Sequence, residues 1–380
     1  VSARAAHEWL SRHREEMVAD LAEYVNHESS SDDLAALDEC LRWVCGWLDA
    51  RLGEPAEHTR LEREDAGNVV IRRYPGSGAE PLLLLAHYDT VWSTGTLAGW
   101  PFQVDGDRMS GPGVFDMKAG LVQAVWALRA LDALGVARPP ITLLLNGDEE
   151  TGSLGSSDAI VTEAQKCRAA LVFEASADGA VKTARKGVGL FTVTITGEEA
   201  HAGLDPTAGA SAVVELAHQV LRCQALTDLD AGTSVNVGVV SGGTRANVTA
   251  GSAVADLDVR VATSAEAERI DAALHDLRPV NPDTQITVTG DWNRPVFERT
   301  PCVAELYELA RECALPLDLD LRETAVGGAS DGNFVQAAGI PVLDGLGAVG
   351  AGAHARSEHA TTTGMLERSA LTAAVLARFA

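Results

Sequence analysis

Apolar residues recur at helical spacing through the opening segment, as Leu10, Met17, Leu21 and Tyr24 and then Leu37, Leu41, Val44 and Leu48. This spacing predicts two helices over roughly residues 6 to 53, joined around Ser29-Ser30-Ser31-Asp32. From Gly67 to about Ala184 the pattern changes: short continuous apolar runs alternate with periodic ones. Leu82 to Ala86, Ile141 to Leu145 and Ala170 to Phe173 have the length and continuity of buried strands, whereas Leu121, Val122, Ala124, Val125, Leu128 and Leu131 repeat as one helix does. Strands alternating with helices predict an α/β domain built on a mainly parallel mixed sheet.

A second change of period follows. Gly187 to Gly197 alternates residue by residue, which predicts a strand. After it come a helix at about 206 to 226, strands at about 233 to 242 and 251 to 262, a helix at about 264 to 278 and a strand at about 284 to 291. The order β-α-β-β-α-β is that of a ferredoxin-like α+β domain. The expected organisation is therefore a catalytic domain of residues 1–184 and 295–380 interrupted by an inserted domain of residues 185–294.

Composition narrows the possibilities without adding a function. The chain of 380 residues is long enough for two cores, and its 46% hydrophobic and 22% charged residues are those of an ordinary globular protein. No apolar run reaches the ~20 residues of a membrane span. With 30 basic against 54 acidic residues the net charge is −24, which argues against nucleic acid or an anionic membrane as partner. Cys40, Cys45, Cys167, Cys223, Cys302 and Cys313 form no C-x-x-C pair and read as thiols of a reducing compartment. A cytoplasmic location is expected. The chain opens at Val1 with no basic-then-apolar leader, which leaves an already removed export signal open.

Candidate chemistry sits where elements are expected to end. Leu82 to Ala86 stops at His87-Tyr88-Asp89; Ile141 to Leu145 stops, two residues on, at Asp148-Glu149-Glu150; Ala170 to Phe173 stops at Glu174. The Gly-rich Gly111-Pro112-Gly113-Val114-Phe115-Asp116 leads into the helical run, and Gly350-Ala351-Gly352-Ala353-His354 is a flexible turn with Glu358 four residues beyond its histidine. Each has a plain reading: a capped strand end, an N-cap at Asp116, a solvated acidic turn at 148–150. Together they place imidazoles and carboxylates at the ends of parallel strands, where open α/β sheets gather ligands. Asp89, two residues past His87 in extended chain, can hold the second nitrogen of that imidazole.

In the order and approximate spacing of all five clusters, from about residue 80 to 365, the chain resembles the M20 metallopeptidases, and within them the glutamate carboxypeptidase type. The resemblance implies two Zn2+ per subunit, with Co2+ or Mn2+ as possible substitutes. It implies Asp116 as the bridge, His87 and Glu174 on one zinc, Glu150 and His354 on the other, and Glu149 as the general base. His359 competes for the last ligand position, and the family pattern of a Gly-rich turn before the histidine and an acid after it favours His354, leaving His359 as a helix-start residue. A cis peptide after Asp116 is also implied. In the inserted domain, used in the family as a lid and for homodimerisation, His201 would bind the oxyanion and Asn247 and Arg260 the substrate carboxylate, with Arg294 a further candidate. Asp331, in a Gly-rich turn, would support the site.

The expected activity is hydrolysis of the amide bond before a C-terminal amino acid of a small-molecule or short-peptide substrate with a free carboxylate. The cations of Lys182-Thr183-Ala184-Arg185-Lys186 favour glutamate or aspartate as that amino acid, held through Lys182, with glutamate foremost. An N-acyl-amino-acid amidohydrolase, of aminoacylase or desuccinylase type, is the alternative on the same scaffold. A non-catalytic metal-binding scaffold is the third reading, and it leaves the presence of Glu149 without a purpose.

Overall fold

The computed structural model describes residues 3–380. The chain forms two compact units: residues 3–184 with Arg299–Val326 and Ser330–Ala380, and Arg185–Glu298 with Gly327–Ala329.

The first unit is a mixed α/β structure. Its six-stranded sheet runs in the order Glu57–Leu61, Gly67–Tyr74, Ile141–Gly147, Leu82–His87, Ala169–Val172, Val342–Leu343. The last four are parallel to one another, and the two at the other edge are antiparallel. Leu82–His87 and Ile141–Gly147 are buried along their whole length, which is why they read as unbroken apolar runs. Leu82–His87 comes first in the chain among the parallel strands, yet it lies between the two that follow it, Ile141–Gly147 and Ala169–Val172. The winding direction therefore reverses at His87, and a crevice opens at the carboxyl ends of these three strands.

A second, four-stranded sheet of short strands runs Gly350–Ala351, His359–Thr361, Arg108–Ser110, Gln103–Asp105. Its first two strands form a hairpin whose loop, residues 352–358, carries His354. Its third leads directly into the Gly111–Asp116 segment.

The opening segment forms three helices, Ala3–Arg12, Arg14–Asn26 and Leu34–Leu52, where two were expected. The break falls at His13, whose Nδ1 donates to the Trp9 carbonyl at 2.8 Å while its own N–H turns back to Leu10. A side chain that competes for the helix carbonyls ends the regular ladder. The next two helices are joined at Asp33, which caps the third by accepting from Ala35 and Ala36. Helix Ala119–Ala133 packs under the sheet, and Gly120 lets it approach so closely that a Cβ there would collide with the Phe173 carbonyl.

The second unit has strands Gly187–Thr196, Ser234–Gly242, Ser252–Val261 and Gln285–Arg294 and helices Ala212–Gln224 and Ser264–His275. All strand pairs are antiparallel, in the order Ser234–Gly242, Ser252–Val261, Gly187–Thr196, Gln285–Arg294. Phe191, Val193, Ile195, Leu216, Leu257 and Val259 lie in its core. The first helix starts at Ala212, later than the 206 read from the sequence, because Ala210 is held extended by an exchange of backbone hydrogen bonds with Glu198 and Ser211 supplies the cap. Strand Ser234–Gly242 lies at the sheet edge. The pairing of Arg185 with Phe297 carries this unit past Arg294, to Glu298.

No helix among the described residues is long and apolar enough to cross a membrane, and all six cysteines are free.

Candidate active site

Three parallel strands deliver the first groups. His87 is the last residue of its strand, Glu149 and Glu150 form a 3-10 turn just beyond Ile141–Gly147, and Glu174 lies two residues past Val172. Parallel register makes these ends adjacent: His87 pairs with Asn146. Asp116 arrives on the Gly-rich segment ahead of helix Ala119–Ala133, with the Asp116–Met117 peptide cis. It does not cap that helix; its side chain turns instead to the histidines.

Asp116 stands between two imidazoles. Its Oδ1 is 3.4 Å from His87 Nε2 and its Oδ2 is 3.5 Å from His354 Nε2. Glu174 Oε1 is 3.4 Å from His87 Nε2, and Glu150 Oε2 is 3.1 Å from His354 Nε2. Donor atoms of His87, Asp116 and Glu150 lie within 4.8 Å of one another, and so do those of His87, Glu149 and Glu174. On distance alone, Glu149 is thus as eligible a ligand as Glu174. His359 lies in the strand His359–Thr361, not at a helix start, and its Nδ1 is 3.0 Å from the Ser357 carbonyl.

The donor set fits a metal ion. His87 Nε2 and Glu150 Oε1 are buried with no hydrogen-bond partner, and among the described residues no lysine or arginine pairs with Asp116 or Glu150. Burial raises the Glu150 carboxyl to about 7, assisted by Asp116 and opposed by His354. Burial would also raise Asp116, but the two histidines outweigh it and hold this carboxyl well below the usual range. Asp116 and Glu150 in turn raise His354 to about 10 against partial burial. Acids this concentrated demand positive charge, and nitrogen and oxygen donors of this kind are those zinc prefers.

Asp89 is fully buried and organises both sides of the turn. It accepts from the backbone N–H of Glu149 at 3.3 Å and of Glu150 at 3.1 Å, and from the Ser31 hydroxyl at 2.9 Å. Its Oδ1 is 3.3 Å and its carbonyl 3.1 Å from His87 Nδ1. Acceptors on both approaches assign the proton to Nδ1 and leave Nε2 to face Asp116 and Glu174. Asp89→Asn puts an amide N–H₂ against these donors. Metal affinity is expected to fall ~10–100-fold, and folding stability by about 1–3 kcal/mol. Chelator competition and denaturant unfolding measure the two; unchanged metal affinity would refute the positioning role.

Further buried carboxylates brace the site. Glu358 accepts from the Gly113, Phe115 and Asp116 N–H groups and from Trp92 Nε1. Asp331 accepts from Asn146 Nδ2 and Ser153 Oγ, and Asp148 from Ser156 Oγ and Gly155 N, so these two acids hold the turn that presents Glu149 and Glu150. The buried ammonium of Lys118 donates to the Tyr24 and His27 carbonyls, fastening the end of helix Arg14–Asn26 below the Asp116 segment. Neither Ser31 nor Trp92 carries a local sequence signal of this bracing role. Ser31 sits in what reads as a plain polar linker, and Trp92 in an ordinary loop.

The remaining candidates fall as follows. Lys182 lies in the first unit on strand Val181–Arg185, its chain packed over Gly345. His201, Asn247, Arg260 and Arg294 lie in the second unit. His201 Nδ1 accepts from the Gly203 and Leu204 N–H groups, so its neutral ring carries the proton on Nε2, and the ring is exposed. The Ala202 N–H donates to the Asn247 carbonyl, which places Asn247 beside the His201 turn. Arg260 is half-buried, with Nε and Nη2 engaged by Asp258 at 2.7 and 2.8 Å. Arg294 is buried, and its Nη1 donates to Asn293 Oδ1.

A mixed sheet whose strand ends gather a cluster fit for metal is the architecture of a metallo-enzyme, and the family to which the chain belongs makes it a hydrolytic one. The chain belongs to peptidase family M20/M25/M40, whose pattern matches residues 83–380. It is 32% identical over 350 residues to carboxypeptidase G2 of Pseudomonas sp. (strain RS-16), covering 89% of this chain and 83% of that protein. It is 30% identical over 231 residues to acetylornithine deacetylase of Myxococcus xanthus, 57% of this chain and 58% of that one. The M20 family metallo-carboxypeptidase Sso-CP2 of Sulfolobus solfataricus shares its fold with a TM-score of 0.70 at 17% identity, over 96% of this chain and 99% of that one.

Proposed function

We propose that the chain is a dinuclear zinc hydrolase that cleaves the amide bond before a C-terminal amino acid, glutamate foremost, in a small-molecule or short-peptide substrate. The observation that carries this reading is Asp116, with one carboxylate oxygen turned to each imidazole. Asp116 would bridge the ions, with His87 and Glu174 completing one position and Glu150 and His354 the other. When bound, the ions lower the pKa of water toward 7 and polarise the scissile carbonyl.

The protein supplies the rest. Glu149 accepts the proton of the attacking water and returns it to the departing amine nitrogen. Asp89 keeps His87 in its ligating tautomer. His201 offers an Nε2–H to the carbonyl oxygen as it gains charge, a contribution of ~3 kcal/mol in comparable donors. Asn247 and the Arg260 Nη1 left over by Asp258 hold the substrate carboxylate, with Arg294 a further candidate, and Lys182 takes the acidic side chain of glutamate.

We further propose a homodimer through the second unit, acting in the cytoplasm. Its edge strand Ser234–Gly242 exposes Val239 and Val240 at 58% and 57%, and helix Ala212–Gln224 exposes Val213, Val214 and Leu221 on one face. An apolar edge of this kind is commonly covered by a partner.

Likeness to acetylornithine deacetylase favours a second reading, an N-acyl-amino-acid amidohydrolase that would use Asn247 and Arg260 but not Lys182. A panel of N-acyl and peptidyl amino acids, scored by the amine released, tests both. The expected result is preferential release of glutamate from peptidyl or bulky acyl donors, weakened by Lys182→Ala. Preferential turnover of short N-acyl groups irrespective of the amino acid would overturn the first reading in favour of the second.

A further inference from the structure

Four of the five proposed ligands are anchored by buried elements: His87, Glu150 and Glu174 at the ends of core strands, Asp116 at the head of a core helix. His354 is different. It sits on a hairpin loop with φ at +60°, a conformation that disfavours a side chain, and its ring is 52% exposed. Two short strands with Gly, Ala and His at their pairing positions cannot by themselves fix such a loop to the tolerance a metal ligand needs.

The loop is instead clamped on both sides of one tryptophan. Trp92 Nε1 donates to Glu358 Oε2 at 2.8 Å, and the same oxygen accepts from Gly113 N at 3.2 Å. Glu358 Oε1 accepts from Phe115 N at 2.9 Å and Asp116 N at 3.1 Å. One carboxylate thus ties the His354 loop to the backbone of the residue proposed to bridge the ions. On the other side, the Arg356 guanidinium lies 5.3 Å from the Trp92 ring centre and 5.4 Å from that of Trp100, and the two indoles meet edge to face at 4.9 Å. Arg108 Nη2 adds a bond to the Ser357 carbonyl at 2.8 Å. The loop is therefore held at residues 356, 357 and 358, just beyond the histidine.

We propose that Trp92, Arg356 and Glu358 are positioning residues for the second ion, the one on Glu150 and His354; the first ion does not depend on Trp92 and Arg356, whereas Glu358, bonded to the Asp116 backbone, bears on both. This rests on the dinuclear reading above. Cation–π contacts and charge-accepting hydrogen bonds fix the loop in register with Asp116 without touching either ion. Glu358→Gln sets an amide N–H₂ against two of its four donors. Trp92→Phe keeps a ring for Arg356 but loses the indole bond. Arg356→Ala frees the loop's outer side, and Arg356→Lys keeps a cation over the rings.

The test titrates chelator-stripped protein with Zn2+ by calorimetry and counts bound equivalents after dialysis, with circular dichroism to confirm the fold. Wild type is expected to bind in two steps. In Trp92→Phe and Arg356→Ala the tight step, assigned to the first ion, stays within about twofold while the weak step loses ~10–100-fold; Arg356→Lys recovers most of it, and Glu358→Gln weakens both steps. A weak step unchanged in the folded variants overturns the proposal, as does an equal loss in both steps of Trp92→Phe and Arg356→Ala. A wild type that binds fewer than two equivalents overturns the dinuclear reading itself, whereas two equivalents with unaltered variants overturns only the clamp. Should one variant fail to fold, the other substitutions decide.

Discussion

Glu149→Gln is expected to retain both equivalents of zinc and to lower kcat by ~10²–10⁴-fold, the range for removing a positioned general base. The side chain keeps its size and one acceptor oxygen, so the Asp89 bonds to the backbone of Glu149 and Glu150 are undisturbed. The variant also resolves what distance leaves open. Glu149 shares the 4.8 Å neighbourhood of His87 and Glu174, so it could ligate rather than transfer a proton. A ligand lost would show as a missing or weakened zinc equivalent alongside lost activity. Elemental analysis and stopped-flow hydrolysis on the same preparation separate the roles: activity that survives with zinc bound eliminates the base, and zinc that leaves makes Glu149 a ligand.

Asp116→Asn is expected to have the broader effect. The amide offers one good acceptor oxygen where the carboxylate offers two, and its N–H₂ would face either His87 or His354. Bound zinc should fall from two equivalents to one or none. Hydrolysis should drop at least ~10³-fold, about 4 kcal/mol of barrier. Retention of two tightly held ions would contradict the bridging role, whatever happened to the rate. The contrast between the variants is informative: Glu149→Gln separates metal from turnover, and Asp116→Asn removes both.

What could be read from the chain and what could not follow from the range of the interactions. Buried strands announce themselves, because Leu82 to Ala86 and Ile141 to Leu145 have no polar face, and a His or acid closing such a run is conspicuous. That is why His87, Glu149, Glu150 and Glu174 were legible from local pattern and family resemblance together. The hairpin Gly350–Thr361 was not, since its strands are two and three residues long and too small-chained to show alternation. Nor was the break at His13, where a side chain outcompetes the ladder within a periodic run that otherwise continues. The bracing groups were least legible. Ser31 meets Asp89 from 58 residues away and Trp92 meets Glu358 from 266, and nothing local to either residue encodes those meetings.

The split first unit also fixes the order in which the site can be completed as the chain is made. His87, Asp116, Glu149, Glu150 and Glu174 all precede the unit that begins at Arg185, and His354 follows it. At ~5–20 residues per second of translation, the 180 residues from Ala175 through His354 take roughly 10 to 40 s. On the proposed ligand assignment the last imidazole is made only after that interval, so full loading with metal would be a late event in biosynthesis.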